Sequence, residues 1–432
     1  MALTAAEQYL LELINRARLD PAAEAKRLGI GLNDNLAPGS IDASQKQALA
    51  PNVLLESAAV SHSNWMLSAD IFSHIESNGS TPASRATSAG YKWNMVGENI
   101  AMQGSTGKLD AGKAIAAEHD GLMRSAGHRL NLLEGDYREI GVGQEIGVFT
   151  QAGQNYNASM VTEVFGRSGN TVFVTGVAYD DRNKDAFYSI GEGKAGVTLS
   201  ASGVSTKTLA AGGYAVGISA ADTVHISGLV GKVSFAADIF DVTENVKLDV
   251  VDGNTLSVST SITLGTGINN LKLLGFQDLA ATGNLAANSI NGNNGNNLLQ
   301  GLGGNDKIFG GGGADQIYGG AGNDSLAGDS GQDRLDGGTG NDQLTGGLDA
   351  DVFVFTKGSG ADTIVDFKLV QGDSLALDDA LWNGLDLSAA QVVSQFAHLV
   401  KGVVQFDFGG GQTLKLAGVT SLSGIADHIE FI

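Results

Sequence analysis

From Gly283 to Val354 the chain divides without a gap into eight blocks of nine residues, each opening on glycine. Position six is Asn288 and Asn297, then Asp306, Asp315, Asp324, Asp333, Asp342 and Asp351. Position eight is always apolar, running from Ile290 and Leu299 through Ile308, Ile317, Leu326, Leu335 and Leu344 to Phe353. Few folds meet both demands. A glycine-rich half-block can turn the chain through positive φ. The other half-block is a minimal strand with one inward apolar side chain. Two blocks then close one coil, and coils stack as parallel strands. Turns on one side are two blocks apart, so Asp306 meets Asp324, Asp315 meets Asp333, Asp324 meets Asp342, and Asp333 meets Asp351. Stacked carboxylates repel unless a hard cation sits between them, and carboxylate with backbone carbonyl oxygen is what calcium selects. The stacking implies roughly four to six ions. The two asparagine blocks are expected to form strands with weak calcium sites or none.

These blocks resemble the GGxGxDxUx nonapeptides of the RTX (hemolysin-type) family. The segment after them is similar too, with DTIVDF at Asp362–Phe367, GDSLALDD at Gly372–Asp379 and strand-like runs to the terminal HIEFI. The resemblance implies a right-handed parallel β-roll over 283–354 and a cap over 355–432 that carries an uncleaved type I secretion signal. The implied partner is a type I ABC exporter. Calcium gives such export a physical logic. In calcium-poor cytosol the carboxylates are unneutralised and the roll stays unfolded; outside, at roughly millimolar calcium, binding adds folding free energy by mass action.

Other features of the 432-residue chain agree, and its length implies two to four domains. It holds 62 glycines but only 4 prolines, so the glycine serves tight turns. A formal charge of −21 argues against nucleic acid or an anionic membrane as partner. With no cysteine there are no disulfides and no thiolate zinc sites. The N-terminus carries charges through its apolar stretch and lacks a signal-peptide layout. Its Leu10, Leu13, Ile14 and Ala17 have helical spacing. No apolar run of about 20 residues could form a transmembrane segment. The expected location is extracellular, secreted or on the cell surface, reached without a cleavable leader.

Residues 1–166 offer HSNWM at His62–Met66, FSH at Phe72–His74, GYKWN at Gly90–Asn94, GENIA at Gly97–Ala101 and SAGHRLNLL at Ser125–Leu133, then IGVG and VTEVFG. Helical patterns alternate with short strands, which predicts an α/β (α-β-α) sandwich. This ordered set is similar to the CAP (SCP-like) superfamily, particularly its bacterial branch. The resemblance implies a cleft lined by two histidines and acidic residues, assigned here to His62, Glu98 and His128. A fourth position is open between His74 and Glu76. Two neutral imidazoles and a carboxylate could bind zinc, through His62 and His128, or could act in acid–base catalysis. Each also has a plain structural reading, and Glu118 and His119 read as a solvated helix face.

Between 167 and 236 alternating strands resemble a small prealbumin-like or Cna-B-like all-β sandwich, and 237–282 reads as a lead-in β segment. In DRNKDAFYSIGE, Asp181, Asn183, Asp185 and Glu192 fall at positions 1, 3, 5 and 12 of an EF-hand-type calcium loop, with Ser189 at position 9. Ala186 replaces the turn glycine and no helices flank the loop, so it is a calcium loop between strands rather than an EF-hand. The leading reading is a secreted calcium-binding protein whose CAP cleft binds an extracellular ligand or metal. Its alternatives are a secreted hydrolase acting on protein or cell wall through that cleft, and a surface or matrix adhesin. No HExxH or GxSxG motif is present, and no activated nucleophile is evident.

Overall fold

The computed structural model describes residues 3–432, which form two compact units: one of residues 3–234 with 240–253, the other of 235–239 with 254–432.

The first unit opens with α1 (Ala5–Leu19), started by a reciprocal capping box between Thr4 and Glu7, and α2 (Pro21–Leu28), capped by Asp20. There follow β1 (Ala50–Pro51), α3 (Val53–Ala69), α4 (Pro82–Ser88), β2 (Met95–Ser105), α5 (Ala111–Arg124), α6 (Ala126–Leu132), β3 (Glu139–Gln151) and β4 (Gln154–Arg167). The sheet order is β1-β3-β4-β2. Strand alternation gives it two apolar faces. Ile140, Val142, Val161 and Phe165 pack with Leu10, Leu11 and Ile14 of α1 and with Ile115, Leu122 and Met123 of α5. On the other face Val164 meets Leu55 and Ala59 of α3 and Ala86 of α4, while Met160 and Ala158 meet Met66. Helices therefore cover both faces, as the predicted α-β-α sandwich requires. Helix α3 approaches so closely that a Cβ on Gly141 would lie 2.0 Å from the Leu55 carbonyl carbon and 2.1 Å from the Glu56 nitrogen.

A small β-sandwich completes this unit. Strand β5 (Val172–Tyr179) pairs antiparallel with Gly213–Ile218 and parallel with Val246–Val251, while Thr198–Ala201 pairs with Val204–Lys207 and with Ala221–Val230. Residues 240–253, which the sequence groups with the lead-in strands, thus belong to the first unit. They are tied to its helical part. Lys247 Nζ lies 2.8 Å from Glu12 Oε2 on α1 and contacts Asp249, with all three groups largely buried, and Asn245 Nδ2 donates to the Ala48 carbonyl at 2.8 Å.

In the second unit each repeat strand pairs in parallel with the strand one coil later. One sheet stacks Ile290, Ile308, Leu326 and Leu344; the other stacks Leu299, Ile317, Leu335 and Phe353. All eight position-eight side chains are at most 1% exposed. The coils extend past the repeats: Leu256 stacks on Leu271 and then Ile290, while Leu344 continues to Ile364 and Leu416. Antiparallel strands Ala397–Val400, Val403–Gly409 and Gln412–Leu416 close this sheet over Trp382, Phe396, Phe406 and Phe408. Among the described residues no helix is long and apolar enough to cross a membrane.

The solvated face expected at Glu118 and His119 is instead core. His119 is fully buried with Nε2 3.0 Å from Glu24 Oε1, and Glu118 accepts from Ser159 Oγ at 3.1 Å. Helices cover both sides of the sheet, and this stretch of α5 faces the core. Burial pushes Glu118 up to about 8, and does the same to the fully buried Glu163 of β4.

Two outcomes follow. Gly141→Ala is expected to lower stability by about 3 kcal/mol, the upper part of the overpacking range, since backbone and not a side-chain tip opposes the new methyl; thermal denaturation measures it. Between about 4.5 and about 8 folded Glu163 keeps a proton that the unfolded chain releases. Its contribution therefore falls as pH rises through that window, by at most about 1.4 kcal/mol per pH unit. Glu163→Gln is expected to flatten the decline of melting temperature with pH relative to wild type, measured in saturating calcium.

Candidate calcium ladder and histidine cleft

The repeat aspartates form two buried ladders. Asp306 N donates to Asp324 Oδ1 at 2.7 Å, Asp324 N to Asp342 Oδ1 at 2.7 Å, Asp315 N to Asp333 Oδ1 at 2.8 Å and Asp333 N to Asp351 Oδ1 at 3.0 Å. One carboxylate oxygen of each rung thus holds the turn stacked before it. The other does not. Oδ2 of Asp306, Asp315, Asp324, Asp333, Asp342 and Asp351 is buried without a hydrogen-bond partner. Burial, aided in most of them by neighbouring carboxylates, pushes these groups up, to about 6 at Asp306 and about 7 at Asp315 and Asp351.

The space at Oδ2 is lined by oxygen. A Cβ placed on Gly301 would lie 2.2 Å from Asp306 Oδ2 and 2.5 Å from the Gly319 carbonyl oxygen, and Gly310 has the same relation to Asp315 and Gly328. Unmatched anionic oxygens beside inward carbonyls fit a hard divalent cation, and hence calcium. In the asparagine blocks, by contrast, Oδ1 of Asn288 and Asn297 is occupied by the amides of Asn284 and Asn293.

The ladders also outrun the blocks. Asp342 N donates to Asp362 Oδ1 at 2.9 Å, and Asp362 Oδ2 is another buried oxygen without a partner. Asp351 N donates to Asp373 Oδ1 at 3.2 Å, but Asp373 Oδ2 accepts from Lys368 N at 2.7 Å, which ends that row. Sequence reasoning missed both residues because the spacing changes from 18 to 20 and 22. The signal was present in Asp-Thr-Ile and Asp-Ser-Leu, which keep aspartate two residues before a buried apolar side chain.

In the 181–192 loop the predicted residues do come together. Glu192 Oε2 accepts from Ser189 N at 2.8 Å, Asn183 Nδ2 reaches Asp185 Oδ2 at 2.9 Å and Ser189 Oγ at 3.1 Å, and Asp181 Oδ2 accepts from Ala186 N at 3.0 Å. Ala186 takes a φ of 58°, the turn for which a calcium loop ordinarily uses glycine.

Glu98, on β2, accepts from His74 Nδ1 at 2.9 Å through Oε1 and from Arg85 Nη2 at 2.5 Å through Oε2. Arg85, on α4, also donates to the carbonyls of His74 and Ser80 at 3.1 Å. His62 is fully buried on α3, stacked on Trp65, with Nδ1 3.3 Å from Glu76 and Nε2 3.8 Å from Glu98. It lies beneath the cleft. The histidine presented beside Glu98 is His74, whose side chain is 44% exposed. Both candidates for the fourth position are therefore in the cluster, His74 on Glu98 and Glu76 on His62.

His128, on α6, places Nδ1 2.8 Å from Ser125 Oγ. Burial pushes its imidazole down, and His74 adds to the effect, so His128 is held neutral. Asn131 Nδ2 donates to the Glu98 carbonyl at 3.2 Å and Asn99 Nδ2 to the His128 carbonyl at 3.2 Å, fixing α6 against β2. Nε2 of His62 is buried without a hydrogen-bond partner, 3.8 Å from Glu98 Oε1, and Arg85 holds the other oxygen of that carboxylate. His74 and His128 each engage Nδ1 with a neighbour, the Glu98 carboxylate for the first and the Ser125 hydroxyl for the second.

Comparisons with known proteins agree with this division. The cysteine-rich secretory protein (CAP) family model matches residues 11–160, and the RTX calcium-binding nonapeptide repeat model matches four overlapping stretches, 282–317, 291–326, 318–353 and 327–364. Among curated proteins none matches the chain. Similar solved structures include an extracellular protein containing an SCP domain from Bacillus anthracis, at 26% identity over 28% of this chain and 34% of that one, TM-score 0.22. This chain thus spans about a third of that relative. An outer surface protein from Borrelia burgdorferi is similar at 18% identity over 28% of this chain and 78% of that one, TM-score 0.21. An extracellular lipase from Serratia marcescens is similar at 17% identity over 38% and 40%, TM-score 0.19. The chain joins a CAP domain to a β-roll of RTX calcium-binding nonapeptide repeats.

Proposed function

We propose that this calcium-binding protein leaves the cell through a type I exporter, folds its roll on meeting extracellular calcium, and presents a CAP cleft that binds a ligand through Nε2 of His74 and His128. The observation that carries the cleft reading is the state of Glu98. Both its oxygens are engaged, one by His74 and one by Arg85. A carboxylate bonded through both oxygens presents no unengaged oxygen to a substrate, which weighs against the hydrolase reading; it serves instead to orient His74. Two imidazoles with free Nε2 atoms suit a divalent metal such as zinc, or a polar ligand able to accept or donate at nitrogen. Zinc bound there would act as an electrophile. The 181–192 loop is read as a further calcium site, supported by the convergence of Asp181, Asn183, Asp185, Ser189 and Glu192.

The test uses the full chain. Chelating calcium is expected to abolish most of the roll's β signal in circular dichroism, and restoring calcium to recover it. Calorimetric zinc titration of the calcium-loaded protein is expected to show one site, weakened at least tenfold by His74→Ala or by His128→Ala. Zinc binding unchanged in both variants would remove the cleft reading. Cleavage of peptides or peptidoglycan fragments by wild type, lost in Glu98→Gln, would put the hydrolase in its place.

A further inference from the structure

A coil takes two blocks, so the repeat turns fall into two rows. One row carries Asp306, Asp324 and Asp342 on turns 301–306, 319–324 and 337–342; the other carries Asp315, Asp333 and Asp351 on turns 310–315, 328–333 and 346–351. Within the blocks the ladder aspartates are three and three; beyond them Asp362 adds one more unpartnered oxygen to the first row, while both oxygens of Asp373 on the second row are engaged. The remaining acids are unevenly placed. Asp329 and Asp349 both lie in the second row, exposed, whereas the first row has only Asp336 beside its turns, with Oδ1 accepting from Gly338 N at 3.0 Å. The flanks add to the bias: Asp278 Oδ1 accepts from Asn296 N at 2.7 Å, and Asp366 accepts from Gly346 N and Gly347 N at 2.9 and 3.0 Å, all on the second row.

Packing does not account for Asp329 or Asp349. Their φ values are 72° and 73°, in the left-handed region, where the stacked equivalents are Gly311 and Gly347 for Asp329 and Gly331 for Asp349. An aspartate there is less favourable than the glycine the repeat supplies. In the same row, Oδ2 of Asp315, Asp333 and Asp351 is unpartnered on residues only 1% exposed. We infer that the two rows are unequal calcium ladders, and that the row of Asp315, Asp333 and Asp351 holds calcium more tightly because Asp329 and Asp349 add charge to its turns. Affinity of carboxylate sites rises with ligand charge, and exposed charges act over about a Debye length. The inference rests on the reading that the ladder oxygens bind calcium.

Asp329→Gly/Asp349→Gly separates charge from packing, because glycine relieves the backbone while removing the carboxylates. The control is Asp386→Asn/Asp427→Asn, exposed acids in the C-terminal cap. Calcium-dependent folding of the full chain is followed by circular dichroism at low salt. The glycine pair is expected to raise the calcium midpoint roughly two- to fivefold, less so in about 0.5 M salt, with the control unmoved. Crystals soaked at limiting calcium are expected to keep anomalous density in the second row after the first has lost it. An unchanged or lowered midpoint, or equal occupancy in both rows, overturns the inference. Wild type that folds without calcium would sink the underlying reading instead.

Discussion

The second unit depends on one frustrated interaction, the stacking of buried carboxylates. Each ladder aspartate spends one oxygen on the amide of the turn before it and leaves the other unmatched. The first bond fixes the register of the coils; the second oxygen makes the closed coil unfavourable until a cation arrives. One residue type therefore encodes both geometry and condition. The apolar stack between the sheets is only one side chain wide per strand, and six buried aspartates with an unmatched oxygen line the block turns beside it. The RTX repeats imply calcium binding there.

The first unit solves its electrostatics internally. Glu98 is neutralised by Arg85, Glu24 by Arg16 and Arg27, and Glu12 by Lys247. The contrast explains how one acidic chain can contain a domain with paired charges and a roll with unpaired ones. Around Glu98, Arg85 holds one carboxylate oxygen and His74 the other, so the carboxylate is bonded through both.

The roll was legible because its period is strict: glycine, aspartate and an apolar side chain recur at fixed offsets, and each offset maps onto one physical role. Legibility faded where the period did. Asp362 and Asp373 continue the ladders at longer spacing, and only the local Asp-x-apolar triplet marks them. In the CAP domain the ordered motifs pointed to the family and to a set of residues that the fold gathers around Glu98. They did not separate His62 from His74, since sequence order says nothing about depth; α3 buries the first and the loop exposes the second. Glu118 and His119 were misread for a related reason. A two-faced sheet leaves its helices few solvated positions, so a polar residue on α5 is as readily a buried, hydrogen-bonded one.

The bond between Lys247 and Glu12 bears on how this N-terminal domain can be handled as a module. Family resemblance ends near residue 160, and a boundary drawn there looks natural on paper. Yet the ammonium that neutralises Glu12 lies on a strand some eighty residues further on, and Ala48 and Arg138 give their carbonyls to Asn245. A fragment cut after the last CAP strand would keep a buried glutamate stripped of its counter-ion. The first unit runs through residues 240–253, and a domain shuffled without its β-sandwich would carry that defect into any new host.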